Sequence, residues 1–334
     1  MGERRRSCPG CTHCPPEAVW YDDGARPGGR LFSRSQRGFI MARSRADARR
    51  TRTSFDRVAA LYDRYRDPPP EVVLHHAIEV AALGPESRVL EVGGGTGQLS
   101  LPLARLGLDL TVVEMGPHLA RIARDKLRAF PRARVHVAAF ESWTPPPAPF
   151  DAVVSCNAFH WLDPAVRLVR SGDVLLPGGI LGIIHPHHVR GGTPGFVRRT
   201  QPLYMEWGLS DDPEFMPPTP SELPPIYPEI DIDGRFTDVH RQRFPVLRAY
   251  TTDAYVGLLQ TDSLILGMES EADRQGFLSD IRALIDGEFG GRVVRQYVYE
   301  VVTGRRTEPP SEKTAGPVAA RQDGAASRPS GSLM

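Results

Sequence analysis

A run of glycines directly after a short apolar segment constrains the fold of this chain more than any other feature. Residues 88–97 read RVLEVGGGTG, and the pattern from Gln98 to Leu106 is typical of the start of a helix. A buried strand that turns on glycines into a helix N-terminus lets the backbone come close to a bound nucleotide. Gly93, Gly95 and Gly97 remove the Cβ atoms that would block this approach, and they permit positive φ.

The spacing of these glycines and the acid before them bear on which nucleotide binds. A nicotinamide-binding loop has the pattern G-x-G-x-x-G, and its helix N-terminus faces a pyrophosphate. Here the third glycine, Gly97, comes one residue early. Glu91 would repel a pyrophosphate, but it would suit the positively charged amino group of S-adenosylmethionine, which carries no phosphate. The sequence therefore favours S-adenosylmethionine, with a dinucleotide site or a plain strand–helix turn as the alternatives.

Four further residues are candidates for contacts with this cofactor. Glu114 ends the predicted second strand, where a carboxylate can accept hydrogen bonds from both ribose hydroxyls of an adenosine. Met115 follows it and could pack against the adenine, and Glu141 could accept from the adenine amino group. Asn157 ends the predicted fourth strand, at the crevice where open α/β sheets bind ligands. We expect it beside the transferable methyl group, whereas Glu114 could instead be a solvated strand end.

The residues after Asn157 are the second informative segment. Because the pKa of histidine lies near the working range, His160 could act as a general base. The alternative is that His160 hydrogen-bonds a neighbouring loop and only shapes the pocket. Phe159 and Trp161 are expected to line the pocket of the methyl acceptor, Trp161 as one of its walls.

A helix predicted before the first strand supplies two more candidates. Apolar side chains recur at helical spacing from Phe55 to Tyr65, and the prolines at 68–70 end the helix. If this helix packs over the open edge of the site, Tyr62 and Arg66 would contact the methionine part of the cofactor. The guanidinium of Arg66 would suit the cofactor carboxylate. The alternative is that Tyr62 is a core residue and Arg66 a surface residue.

Composition excludes several classes of protein. The chain has 334 residues, with 41 Lys and Arg against 40 Asp and Glu, so overall charge gives no argument for a nucleic-acid partner. An apolar run of about 18 residues is missing, so no membrane span is expected. Four cysteines argue against a disulfide scaffold. A cytoplasmic enzyme is the favoured class.

Two groups of potential ligands raise the question of a metal site. They are Cys8, Cys11, His13 and Cys14 in the first group and His185, His187 and His188 in the second. The first group lies within seven residues, with no second pair to close a fold around an ion. The second group follows the predicted fifth strand, is interrupted by Pro186, and shows no acidic partner in the sequence. No metal is predicted.

The chain divides into five segments. Strand and helix patterns alternate over residues 54–190, the first part of the predicted cofactor-binding domain, which predicts a parallel sheet with helices on both faces. Residues 191–235 break this alternation and are predicted to form a lid or substrate loop, and the domain resumes over 236–304. An arginine-rich start, 1–53, and a tail of small residues and proline, 305–334, are predicted to be disordered.

These segments resemble the class I S-adenosylmethionine-dependent methyltransferases over residues 54 to 304. The residues that carry the resemblance are Glu91 to Gly97, Glu114, Phe150 to Val154 leading to His160 and Trp161, and Leu176 to Gly179. The segments Tyr62 to Arg66 and Phe140 to Trp143 resemble the small-molecule branch, which includes trans-aconitate methyltransferase and ubiquinone-biosynthesis-like enzymes.

The resemblance implies a fold and an activity. The fold is a three-layer, Rossmann-like α/β structure with a seven-stranded, mostly parallel sheet whose last strand is antiparallel, plus N-terminal cap helices and a lid. The activity is metal-free methyl transfer from S-adenosylmethionine to a small-molecule acceptor. Nucleic-acid branches often carry Asn-Pro-Pro-Tyr after the fourth strand, where this chain has Asn157-Ala158-Phe159-His160, so no nucleic-acid partner is expected. The alternatives are a cofactor-binding protein without turnover and a nicotinamide-dependent oxidoreductase.

Overall fold

The computed structural model of the protein describes residues 53–307. The two ends predicted to be disordered, 1–53 and 305–334, lie almost entirely outside the described residues. The cysteine and histidine group between Cys8 and Cys14 lies outside them as well. These predictions are left untested by the structure.

The folded region extends slightly beyond its predicted limits, residues 54 and 304, at both ends. Thr53 already lies in a helical segment, and the last strand continues to Arg306, beyond the predicted limit at residue 304. The strand continues because Arg305 and Arg306 still pair with Thr237 and Phe236 of the neighbouring strand, which extends the ladder of hydrogen bonds.

Seven strands of the described chain form one sheet. In chain order they are β1 Arg88–Val92, β2 Asp109–Glu114, β3 Ala133–Val137, β4 Phe150–Cys156, β5 Leu175–Gly192, β6 Phe236–Thr251 and β7 Arg292–Arg306. Their order across the sheet is β3-β2-β1-β4-β5-β7-β6. Pairs among β1 to β5 are parallel, and β7 runs antiparallel to β5 and β6. The predicted seven-stranded, mostly parallel sheet with an antiparallel last strand is confirmed.

Helices cover both faces of the sheet. In chain order the described α-helices are α1 Ala59–Tyr65, α2 Glu71–Val80, α3 Ser100–Arg105, α4 Pro117–Leu127, α5 Arg167–Val174, α6 Phe196–Glu206, α7 Thr252–Leu259, α8 Ser263–Leu266 and α9 Glu271–Glu288. Short 3-10 helices occupy Phe159–Trp161, Pro220–Glu222 and Pro228–Asp231. The helix predicted from Phe55 to Tyr65 is present, with a turn at Val58 that precedes α1.

Two buried clusters form because successive strand residues point to opposite faces of the sheet. On one face, Val89 of β1 and Leu110 of β2 pack in the same cluster as Ile281 of α9. On the other face, Leu90 of β1 belongs to a cluster with Leu168 of α5. The structure therefore has the expected three layers, with helices on each side of the sheet.

The strand order reverses at β1, which pairs with β2 on one side and β4 on the other. At such a reversal, the loops that leave the carboxyl ends of the strands diverge and open a crevice, and α/β folds bind ligands there. The glycine segment after β1, the end of β2 and the end of β4 all meet at this point. This part of the fold determines where the site lies.

The segment 191–235 is more ordered than its sequence pattern predicted. β5 continues to Gly192, and α6 packs against α9, with the ring centroids of Tyr204 and Phe277 4.9 Å apart. Farther along, Ile230 is fully buried against the opposite face of the sheet. The segment shows no single periodicity of apolar residues because α6 packs on one face of the sheet and Ile230 on the other.

Candidate active site

The loop of residues 93–97, called the glycine loop below, has positive φ at all three glycines that the sequence singled out. The angles are 73° at Gly93, 56° at Gly95 and 90° at Gly97. A Cβ on Gly93 would lie 2.4 Å from the Cβ of Ala158, just after β4, so no side chain fits there. A Cβ on Gly97 would lie 3.6 Å from Ala123 of α4. At Gly93 and Gly97 the loop therefore packs closely against Ala158 and Ala123.

Glu114, the last residue of β2, is tied to the glycine loop. It is 8% exposed, and its carboxylate accepts hydrogen bonds from the backbone amides of Gly95, at 2.8 Å, and Gly116, at 2.7 Å. These two bonds hold the carboxylate at the end of β2 against the glycine loop.

Glu91 lies beneath the loop and is 1% exposed. The Oγ of Ser100, the first residue of α3, donates a hydrogen bond of 2.5 Å to its carboxyl group. Burial raises the pKa of Glu91 to about 8; the Ser100 bond opposes this shift and the charge of Glu114 adds to it. Glu91 is therefore protonated at neutral pH, and an ammonium group beside it would favour its ionised form.

The segment from Phe55 to Arg66, called the cap below, covers the glycine loop. A Cβ on Gly95 would lie 3.5 Å from Cε1 of Tyr62, which places the tyrosine ring against the loop. Phe55 contacts Tyr62 edge to face, with ring centroids 6.0 Å apart, and contacts Trp161 in the same way at 5.7 Å. These three aromatic side chains join the cap to the segment after β4 and so cover one side of the crevice.

Arg66, just after α1, stands beside Tyr62. Its Nε donates to Oγ1 of Thr261 at 2.8 Å, and its Nη2 donates to the Thr261 carbonyl at 2.7 Å. The Arg66 Cζ lies 5.6 Å from the centroid of the Tyr62 ring. Tyr62 therefore lies against the glycine loop, and Thr261 holds the Arg66 guanidinium beside Tyr62.

The chain turns sharply after β4. Asn157 has a left-handed backbone, with φ of 52°, which asparagine tolerates better than most residues. Its backbone amide donates to the backbone carbonyl of Ile184 at 2.8 Å. Three residues later, His160 is exposed, and its ring centroid lies 5.2 Å from that of His185 on β5. The predicted base is therefore accessible and has a second histidine as its neighbour.

Phe159 does not line an open pocket, which corrects the prediction. It is 1% exposed, its ring lies 5.2 Å from that of Tyr227, and the Arg167 guanidinium lies 5.3 Å from its centroid. Tyr227 comes from the segment 191–235, whose lack of periodicity hid this packing at the level of sequence. Trp161, in contrast, is only half-buried, as a residue at the edge of a crevice would be.

The two predicted adenine contacts lie near the same strand ends. Met115 is half-buried directly after Glu114. Glu141 is also half-buried, and its carboxylate accepts a hydrogen bond from the amide of Asp163 at 3.3 Å. Their contact with an adenine ring stays a prediction.

The sequence did not reveal a buried histidine–glutamate pair on β5 and β7. The Nε2 of His187 lies 2.9 Å from Oε2 of Glu300, which is fully buried, and Arg243 of β6 pairs with the same carboxylate at 3.3 Å. Burial would raise the pKa of Glu300, but its hydrogen bond to His187 and its ion pair with Arg243 outweigh that effect and lower the pKa. The register of β5 and β7 sets Glu300 opposite His185, two residues from His187. A prediction of this strand pairing would have identified the acid.

The His185 ring lies between those of His160 and His187, with centroid distances of 5.2 Å and 4.9 Å. Burial, reinforced by His160, His187 and His188, holds the pKa of His185 well below its usual range. Within residues 53–307, no group of three or more His, Cys, Asp or Glu side chains is arranged to hold a metal ion. Nor does any helix among these residues combine the length and the apolar character that a membrane span requires.

The chemistry of the crevice fits S-adenosylmethionine. Glu91 and Glu114 place two carboxyl groups at the glycine loop, where they suit an ammonium group and a ribose. Gly93 leaves no room for a Cβ, and Gly95 leaves the backbone open to close approach. The residues that would hold the cofactor are therefore the glycine loop, these two acids and the cap.

Comparisons with known proteins agree with this interpretation. Residues 89–179 match the family model of a methyltransferase domain. The chain is 26% identical to an uncharacterized methyltransferase of Mycobacterium tuberculosis, over 70% of this chain and 85% of that protein. It is 32% identical to a ubiquinone biosynthesis O-methyltransferase of Xanthomonas campestris, over 39% of this chain and 59% of that protein.

The fold is also similar to that of a solved protein from Anaeromyxobacter dehalogenans, provisionally named a type II methyltransferase. The TM-score is 0.51 at 22% identity, over 73% of this chain and 100% of that one. The matched residues 89–179 contain the glycine loop, Glu114 and the end of β4. The predicted family and its cofactor are confirmed: the chain is a class I S-adenosylmethionine-dependent methyltransferase.

Proposed function

We propose that the protein transfers the methyl group of S-adenosylmethionine to a small-molecule acceptor. The observation that carries this proposal is the cover over the glycine loop, where Tyr62 lies against Gly95 and Phe55 joins it to Trp161. A crevice covered by aromatic side chains suits the enclosure of a small ligand and the exclusion of water. A polymeric acceptor would need an open groove at the same place.

In this proposal the glycine loop and the cap hold the cofactor. The backbone of the loop lies along the methionine portion, and Glu91 faces the ammonium group. The carboxylate of Glu114 accepts from the ribose hydroxyls. Arg66 binds the cofactor carboxylate beside Tyr62, in agreement with the position of its guanidinium at the edge of the crevice.

The acceptor binds at the end of β4. Met115 and Glu141 contact the adenine, which leaves Asn157 beside the methyl group. When bound, S-adenosylmethionine would supply a methyl group for transfer to an oxygen, nitrogen or carbon atom of the acceptor, and its sulfur would leave as the thioether of S-adenosylhomocysteine. His160, or water, takes the proton that the acceptor loses. Much of the rate comes from holding the two reacting atoms in line.

The segment 191–235 bounds the acceptor pocket in this proposal. The family match ends at residue 179, so it covers the cofactor half of the molecule and does not extend to this segment. The acceptor therefore has to be identified from this chain's own residues and by experiment.

Two measurements test the proposal. Isothermal titration should show binding of S-adenosylmethionine and none of NADH. Incubation with cofactor labelled in the methyl group and a metabolite extract should then label a small molecule, with heat-inactivated protein as the control. Binding without any label transfer would support the alternative of a cofactor-binding protein without turnover, and binding of NADH alone would refute the cofactor assignment.

A further inference from the structure

Arg295 of β7 is a buried arginine without an acidic partner. It is 8% exposed, and in the described part of the chain its guanidinium makes no hydrogen bond or ion pair. Its Cζ lies 5.8 Å from the centroid of the Phe196 ring. Arg167, which is buried to the same degree, pairs with Glu229 and donates to the Phe159 carbonyl. Buried charges are ordinarily paired in this way, so Arg295 is the exception.

Tyrosines interact electrostatically with this guanidinium, and they are Tyr204, Tyr250, Tyr255 and Tyr297. Tyr255 packs against the same Phe196 ring, with centroids 5.2 Å apart, and the Tyr250 hydroxyl donates to the Tyr297 hydroxyl at 3.2 Å. Two acids border the cluster, and both are engaged elsewhere. Asp262 accepts from the amide of Leu264, and Asp67 pairs with Arg248.

The strand register adds a second cation at the same place. Arg248 of β6 lies directly opposite Arg295 of β7, a position where like charges are unfavourable. His188 contributes no charge, because burial and the charges of Arg295 and Arg66 lower its pKa to about 3. Since Asp67 offsets Arg248, the cluster holds one uncompensated positive charge. A site of this kind matches a monoanion.

The cluster adjoins the cofactor crevice. The His188 ring lies 4.9 Å from the ring of Tyr297, and His188 is within electrostatic reach of both Arg295 and Arg66. Arg66 stands beside Tyr62, the residue against the glycine loop. Arg295 itself pairs in register with Gly192 of β5 and faces the Phe196 ring. It therefore lies beside the start of the segment 191–235, which is proposed to bound the acceptor pocket.

We propose that Arg295, with the hydroxyls of Tyr255 and Tyr297, binds a carboxylate group of the methyl acceptor. A guanidinium presents its donors in a fork that matches the two oxygens of a carboxylate, and one unpaired cation balances one such charge. This inference rests on the proposed small-molecule acceptor, and it names the acceptor as a carboxylic acid. Arg295 is then a binding and specificity residue for the proposed reaction.

Thermal unfolding with simple carboxylates tests the site without any methyl transfer. Sodium benzoate and sodium acetate should raise the Tm of the full chain, measured with S-adenosylhomocysteine present and ionic strength held constant with NaCl, whereas benzamide and acetamide should not. Arg295→Met should abolish the response, and Arg295→Lys should keep part of it. Arg199→Met removes an exposed arginine paired with Glu288 and should respond as the wild type does.

The proposal is overturned if the amides stabilise as well as the acids, if no carboxylate stabilises, or if Arg295→Met responds like the wild type. Methyl transfer to the metabolite extract gives the second readout. Arg295→Met should lower it at least about 10-fold, as expected for the loss of a charged hydrogen bond, while S-adenosylhomocysteine affinity stays unchanged. If the wild type labels nothing but benzoate still binds through Arg295, the proposed function fails and the anion site stands.

Discussion

The carboxylate of Glu114 accepts a hydrogen bond of 2.8 Å from the backbone amide of Gly95, nineteen residues earlier in the chain. Through this bond the end of β2 holds the glycine loop at the end of β1. The same carboxylate is the proposed ribose acceptor, so one side chain both shapes the loop and binds the cofactor. Several measurable consequences follow from this double role and from the groups around it.

Replacement of Glu114 by glutamine should weaken S-adenosylmethionine binding about 10- to 100-fold, because hydrogen bonds to charged groups contribute about 1.5–3 kcal/mol. The amide of glutamine also turns a donor toward either the loop or the ribose. Isothermal titration measures the change. Glu86→Gln, at an exposed glutamate that pairs with Arg132, is the matched control. Equal affinity in Glu114→Gln and the wild type would contradict the ribose role.

Glu91 should make the stability of the cofactor-free protein depend on pH. Its pKa is about 8 in the folded chain, above the ordinary value of 4.5, so the folded state binds the proton more tightly than the unfolded state does. The stabilisation is fully present below pH 4.5 and is lost as pH rises through about 8. Urea unfolding of Glu91→Gln should show a flatter profile over this range than the wild type. Identical profiles would show that Glu91 titrates normally.

Binding of the cofactor at pH 7 should release a proton from Glu91. The carboxyl group is protonated before binding, and the arriving ammonium group favours the ionised form. Calorimetric titrations in buffers of different ionisation enthalpy count the protons released. The release should approach one per site in the wild type and disappear in Glu91→Gln. Proton uptake, or an unchanged release in the variant, would argue against contact between Glu91 and the ammonium group.

Gly93→Ala should destabilise the fold by about 1–3 kcal/mol, because an added methyl group overpacks the site, where its Cβ would lie 2.4 Å from the Cβ of Ala158. Gly178→Ala is the matched control, since Gly178 has a similar φ of 77° and nothing within 4 Å of an added Cβ. Both variants carry the conformational cost, so the difference in unfolding free energy isolates the contact. An equal loss in both would mean that the loop moves to accept the methyl group.

Arg243→Met should destabilise the protein by about 2 kcal/mol, since it leaves the Glu300 carboxylate with His187 alone. This is less than the loss for a fully buried pair, because 33% of the Arg243 side chain is exposed. The lowered pKa of Glu300 implies stability that is present above pH 4.5 and lost as pH falls. Arg243→Met should therefore also unfold at a higher pH during acid titration. Arg199→Met serves as the exposed control, and equal stability of the two variants would contradict the role of the pair.

Local patterns allowed most of the sheet and the cofactor side of the site to be predicted. The glycine loop, Glu91 and Glu114 lie within one strand–helix–strand unit, so their proximity follows from short-range sequence order. Phe159 was misplaced because its partner, Tyr227, comes from a segment without a periodic pattern. Proximity to the site did not make the residue accessible.

Contacts between distant strands were the features that the sequence did not reveal. His187 and Glu300 are 113 residues apart, and only the register of β5 and β7 brings them together. The proposed role of Arg295 likewise depends on Arg248 across the sheet and on tyrosines from other elements. A single sequence shows residue types, and the pairing of antiparallel strands decides which of them share a face.

A crystal structure with S-adenosylhomocysteine tests the central claim most directly. The account predicts density for the nucleoside beside Gly95, with the ribose hydroxyls within hydrogen-bonding distance of Glu114 and the amino group next to Glu91. An empty crevice in crystals grown at saturating ligand, or a ribose bound away from Glu114, would contradict it.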